Sequence, residues 1–327
     1  MATFSISDAF SAGFRLVGRE PLSVLAWSLL YLVLAMGPSA LMFLWLGPDM
    51  LGMFHAMATG AAAGGQPNFM TNGGFMQMQS KMMLFQPIML VSTIAARAIL
   101  GAAVFRAVLE PQNRGFAYLR LGAQELWLGL LFLAMAILGV LLFIGLAIPV
   151  GAVAAGIVLG LKSAQLADAW IGLVACIGIL VYLVLAGWII LRFSMAAPMT
   201  FAAREFRLFE SWAFTRGQAW RLFGLVLLLA VVMLAIIAVF DGLLMAGVFA
   251  TMGSSVFAPG AAPAVFTESL DRWLPVLAPW LAVFAVVGAL LSACLFAILG
   301  APWAVAYREL AASGASPVAG SGGPSRG

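Results

Sequence analysis

The chain has one histidine, two cysteines and two lysines among 327 residues, and only 9% of its residues are charged. A lone histidine, His55, leaves no way to build a His triad, a two-His metal site or a histidine relay within one chain. Cys176 and Cys294 both fall inside long apolar runs, where they read as small apolar residues rather than a disulfide. No stretch reads G-x-x-x-x-G-K-[ST] or G-x-G-x-x-G, so neither glycine-rich phosphate cradle is present. Soluble domains carry about 25% charged residues, and the shortage here excludes that class. Apolar side chains take the place of the missing charge: they make up 64% of the chain, and the mean hydropathy is +1.11.

Six apolar runs reach the roughly 20 residues that a bilayer core of about 30 Å requires. They are Leu22–Leu46, Pro87–Leu109, Leu126–Ile148, Trp170–Leu191, Leu222–Phe249 and Val276–Trp303. A further apolar stretch, Pro149–Leu161, is too short to span and reads as an extension or interfacial segment after a proline break. Pro198 and Pro302 mark expected breaks near the ends of the fourth and sixth runs. The expected fold is therefore all-α and polytopic: one integral membrane domain over residues 1–310, followed by a disordered Gly/Ser/Pro-rich tail over 311–327.

Charge sets the expected direction. The N-terminus, the second–third and fourth–fifth connections and the C-terminus together carry 12 arginines, whereas the opposite connections hold only Lys81, Lys162 and Arg272. By the positive-inside rule both termini are cytoplasmic and the number of spans is even. Arginine outnumbers lysine 14 to 2, and with 35 glycines this bias points to a GC-rich bacterial genome. The 16 basic residues are scattered beside apolar runs, which points away from nucleic acid as a partner.

The first 20 residues read as an amphipathic surface helix. Ser5-Ile-Ser-Asp8 is a capping pattern, and Ile6, Phe10, Phe14 and Val17 recur at helical spacing. Phe14-Arg-Leu-Val-Gly18, Tyr118-Leu-Arg-Leu-Gly122 and Ala213-Phe-Thr-Arg-Gly217 each precede an odd-numbered span. This echo predicts three repeats of a cytoplasmic helix followed by a membrane hairpin.

At these segments the chain resembles a family. Phe105-Arg-Ala-Val-Leu-Glu-Pro111, Tyr118-Leu-Arg-Leu-Gly-Ala-Gln-Glu-Leu126, Glu210-Ser-Trp-Ala-Phe-Thr-Arg-Gly217 and Ala301-Pro-Trp-Ala-Val-Ala-Tyr-Arg-Glu-Leu310 look like uncharacterised six-span bacterial inner-membrane proteins. That family is related to the membrane domain attached to some glycerophosphoryl diester phosphodiesterases. The resemblance implies an all-helical membrane fold and supplies no catalytic residues. The chain has no room for the phosphodiesterase barrel of the fused enzymes.

Arg97 is the sharpest candidate residue, because it lies near the middle of the second run, ten residues after Pro87. Such an arginine faces the bundle interior or a polar cavity. There it meets a lipid phosphate or small anion, or else exposed carbonyls. Asp241 sits near the outer end of the fifth run and reads as a water-exposed carboxylate. Between the fourth and fifth runs, Arg204, Arg207, Arg216 and Arg221 alternate with Phe201, Phe206, Phe209, Trp212 and Trp220, a pattern suited to anionic headgroups. The outer loop 47–83 holds eight of the 18 methionines, and Met76, Met78, Met82 and Met83 are the candidate copper(I) ligands.

No nucleophile and base are paired in any motif. The expectation is a non-enzymatic, lipid-interacting, scaffold or regulatory protein of the cytoplasmic leaflet, without a cofactor. Its expected partners are anionic lipids, a membrane protein or a second copy of the chain. The alternative is a small transporter or lipid/anion carrier that uses Arg97.

Overall fold

A computed structural model of the chain describes residues 4–62, 74–163, 168–252 and 262–312. The expected tail therefore lies mostly outside the described residues, as does Met70. The described residues contain helices and no strands. Six helical stretches are long and apolar enough to cross a membrane: Pro21–Met50, Met76–Leu109, Phe116–Lys162, Trp170–Ala203, Ala219–Gly247 and Pro279–Ala312. The chain is a polytopic all-α membrane protein.

The chain opens with α1 (Ile6–Arg19), α2 (Pro21–Tyr31), a π-helical turn at Leu32–Met36, and α3 (Gly37–Ala62). Then come α4 (Gly74–Leu109), α5 (Ala123–Ser163) and α6 (Asp168–Phe193). Two short helices, α7 (Ala196–Ala203) and α8 (Glu210–Phe214), lead to α9 (Ala219–Met252) and α10 (Ala262–Ala312). Consecutive spans pack as hairpins, α3 on α4, α5 on α6 and α9 on α10, and α10 also packs on α4. The three expected hairpins are thus present. The helix expected before each is not repeated: the second hairpin is preceded only by a 3₁₀ turn at Phe116–Tyr118.

The backbone N–H of Ser5 donates to Glu309 Oε2 at 3.1 Å, so the two ends of the membrane domain lie on one side. We call it the terminal side. Ser5 caps α1 through a bond from the Asp8 N–H to its Oγ, at 3.3 Å, as its capping pattern predicts. The apolar face of α1 packs largely on the bundle, through Ile6, Phe10 and Val17, and leaves Phe14 exposed. Ala9 and Gly13 are buried, and α1 runs antiparallel along α10. A Cβ at Gly13 would stand 2.5 Å from Ile298 Cα, so only glycine permits this approach of the two backbones. A neighbouring helix removes more apolar surface from contact with polar headgroups than a bilayer surface can.

Two proline expectations also change. Helix α5 continues through Pro149 to Ser163, making residues 149–161 an extension of the third span. Helix α10 likewise continues past Pro302. In a membrane helix the carbonyl freed by a proline can be re-satisfied locally, so the segment need not break. The fourth span does turn, at Ser194 and Met195, but α7 then carries it on to Ala203 with Pro198 in its first turn.

Buried side chains gather in the terminal-side half. Leu100, Val104, Leu128, Leu131, Phe201, Leu222, Leu225 and Ala301 are among them. Past Leu131 no described residue of α5 is buried, and in α6 none from Trp170 to Arg192 is. Apolar side chains there face acyl chains as apolar as themselves, so no force drives further packing.

A polar knot fastens the link between α4 and α5. Arg106 makes a buried ion pair with Glu125 and also donates to the Tyr118 carbonyl and, at 3.2 Å, to Gln124 Oε1. Glu125 Oε2 accepts the Gly122 N–H at 3.0 Å, closing the start of α5 as a capping glutamate does. Ala117 and Tyr118 stand at φ 50° and 58°, in the left-handed region that non-glycine residues avoid. The Trp27 indole holds the Ala117 carbonyl at 2.8 Å, and Glu20 accepts from Arg114 at 2.6 Å. Its hydrogen bond to the Tyr118 hydroxyl, then the nearby Glu20 carboxylate, raises the pKa of Arg114 above its ordinary value.

Candidate functional site

All six spans contribute to one cavity of about 1510 Å³. Tyr31, Ala35 and Ser39 come from the first; Thr93, Arg97, Gly101 and Phe105 from the second; and Phe132 and Met135 from the third. Leu183, Gly187 and Trp188, then Trp220, Phe223 and Met233, then Ser292, Phe296 and Trp303 complete the wall. The volume exceeds the roughly 300–1,000 Å³ typical of small-molecule sites. The wall is mostly hydrocarbon and aromatic.

Arg97 is the single charged residue of that wall. It lies twelve residues before the end of α4 at Leu109, about 18 Å along the helix axis and therefore near mid-membrane. Thr93 and Gly101, one turn to either side, also line the cavity and place this face of α4 toward it. The other faces carry Ala98 and Ala102 against α5, and Leu100, Ala103 and Val104 against α1, α2 and α10. Arg97 is exposed to the cavity and makes no hydrogen bond or ion pair with any described residue. An arginine at the centre of a span costs at least about 2.5–3.5 kcal/mol on insertion scales, and nothing described here offsets that.

The first span is irregular where it meets this region. Its π-helical turn at Leu32–Met36 leaves the regular hydrogen-bond ladder, and Ser92 Oγ donates to the Leu34 carbonyl. Tyr31 and Ala35, at and beside the turn, face the cavity. π-turns are frequent at functional sites.

The other arginines expected at the site lie elsewhere. Arg204 closes α7 at φ 56° and reaches Glu110 Oε1 at 3.8 Å. Arg207 pairs with Glu205 at 3.2 Å, and its backbone N–H donates to Thr200 Oγ1 at 3.2 Å. Arg216 and Arg221 are exposed beside Trp220 on the terminal side. These four line a surface, and Arg97 stands apart from them in the membrane. Asp241 is exposed on α9, as expected.

On the far side, Met78, Met82 and Met83 border a shallow groove of about 290 Å³ with Gln79 and Gln86, and Met76 does not border it. Lys81, in the same turn of α4, pairs with Asp49 at 2.6 Å and stacks on Trp45. Among the described residues no group of three His, Cys, Asp or Glu side chains could hold a metal ion.

Two features escape sequence reasoning. Arg106 and Glu125 read as ordinary cytoplasmic charges, and only the spacing of Glu125 from Gly122 hints at a cap. Arg192 reads as the first residue of a loop, yet the fourth span continues to Ala203. Its guanidinium sits over Trp188 and Trp212, at 5.0 and 5.6 Å from the ring centroids, and its Nε and Nη1 are buried without a hydrogen-bond partner.

Comparison of the chain with family models, curated proteins and solved structures gives no match.

Proposed function

We propose that the protein is a non-enzymatic, lipid-interacting membrane protein of the carrier type, which holds an anionic amphiphile against Arg97. The carrying observation is the unpaired Arg97 guanidinium at mid-membrane in the wall of a large apolar cavity. An anion there would supply the hydrogen bonds and charge that the protein withholds, in a medium that strengthens both. This reading places the alternative from the sequence ahead of a pure scaffold, because a scaffold gains nothing from a charge facing an open cavity. The 12-to-3 charge asymmetry supports cytoplasmic termini in a bacterial inner membrane. Exposed Arg216, Trp220 and Arg221 would then lie among cytoplasmic headgroups. The relationship to the phosphodiesterase-associated membrane family is part of the same proposal.

Thermal unfolding of delipidated protein tests the reading, with an alkyl phosphate and an uncharged alkyl glycoside of equal chain length as ligands. A ligand that binds only the folded state at 100 times its Kd stabilises it by about 2.7 kcal/mol. The expected result is stabilisation by the alkyl phosphate alone, abolished in Arg97→Leu and retained in part in Arg97→Lys. Equal responses to both amphiphiles, or an unchanged response in Arg97→Leu, would contradict it.

A further inference from the structure

The wall of the cavity is not closed around its circumference. Helices α6 and α9 meet at their terminal-side ends, where Leu191 and Met195 share a cluster with Leu222, Leu225 and Leu229. Beyond that join neither helix buries a side chain: none from Trp170 to Arg192 in α6, and no described residue of α9 past Leu229. Val184 and Trp188 on one helix and Phe223 on the other line the cavity yet stay 62%, 45% and 45% exposed. In a bilayer, apolar surface left open in this way faces acyl chains rather than water.

Arg97, the one charge in the wall, lies well inside the spans with Ser39, Thr93 and Ser292, whereas Ser194, Trp188, Trp220 and Trp303 lie toward their terminal-side ends. Indoles belong at the headgroup boundary, so the chamber runs from one leaflet's boundary to the middle of the membrane.

We infer that the occupant is an anionic membrane lipid that enters sideways through the slot between α6 and α9. Its charged group rests on Arg97 and its acyl chain lies along the aromatic wall and out through the slot into the bilayer. This inference rests on the anion reading of Arg97 and adds the source and the route. Charge complementarity selects the anionic head, and the apolar opening, exposed to lipid, selects a ligand already dissolved in the membrane.

Gly187 supplies the test. It lines the cavity one residue from Trp188, and a Cβ added there meets nothing within 4 Å. Gly187→Trp therefore projects an indole from this open position at the mouth of the slot. The full-length protein is reconstituted in phosphatidylcholine vesicles that contain phosphatidic acid with a diazirine in one acyl chain, irradiated, and mapped by peptide mass spectrometry. The expected result is adducts on residues 183–188 and 223–233, reduced at least tenfold in Gly187→Trp. Undiminished adducts in Gly187→Trp would overturn the inference. So would full protection by inorganic phosphate with no tail adduct, which would identify a soluble anion entering from water. Loss of adducts in Gly187→Trp with undiminished phosphatidic acid labelling in Arg97→Leu would uphold the slot and overturn the anion reading alone.

Discussion

Replacing Glu125 with leucine isolates the polar knot on which the α4–α5 link depends. The side chains of Arg106 and Glu125 are only 2% and 5% exposed, so water does not take the place of the lost carboxylate. Arg106 keeps only neutral acceptors, the Tyr118 carbonyl and Gln124 Oε1. Stranding a buried charge costs about 3–5 kcal/mol, and loss of the bond to the Gly122 N–H removes a cap worth about 1 kcal/mol. The expected destabilisation is about 4–6 kcal/mol, read from SDS-titrated unfolding in mixed micelles. Glu125→Gln keeps an acceptor for Arg106 but leaves one fewer charge in the pair, and should cost about half as much. The double variant Arg106→Leu/Glu125→Leu should be milder than Glu125→Leu alone, because it removes the stranded cation. A Glu125→Leu variant within about 0.5 kcal/mol of wild type, or a double variant equal to the sum of its singles, would refute the reasoning.

Gly13→Ala should destabilise by at least about 1–3 kcal/mol, because its Cβ meets the Ile298 backbone, whereas Gly18→Ala in the same helix meets nothing and should be neutral or stabilising. Parallel melts of the two variants check this, and equal effects would contradict the α1–α10 approach. Replacing Met76, Met78, Met82 and Met83 together with leucine should leave copper(I) affinity unchanged in a competition titration, since only three of the four border one groove and that groove is shallow and open. A marked drop in affinity would restore the copper reading. Arg216→Gln/Arg221→Gln should reduce the anionic lipid that co-purifies at the surface without changing the alkyl phosphate response at Arg97, because the two groups are exposed on the terminal side and neither lines the cavity.

The spans, their number and the common side of both chain ends were legible because hydrocarbon length and charge asymmetry act along the chain, residue by residue. The central position of Arg97 was legible for the same reason. What Arg97 faces was not, since a cavity lined by six spans is a property of their packing order, which apolar runs of near-uniform composition leave open. Gly13 illustrates the limit: its periodicity showed an apolar face on α1, but lipid surface and helix α10 are equally apolar partners on paper. Arg106 and Glu125 are 19 residues apart in sequence and meet only because the 110–122 link folds back through two left-handed residues. Arg192 was misplaced because a turn at Ser194 looks like the end of a span, although the helix resumes two residues later.

Native mass spectrometry of wild type beside Arg97→Leu, both released from vesicles of mixed anionic and zwitterionic lipid, tests the central claim most directly. The expected result is one tightly held anionic lipid on the wild type, absent from the variant, with weakly held surface lipids equal on both. Identical spectra, with the tightly held lipid retained by Arg97→Leu, would make Arg97 a structural residue and contradict the proposed function.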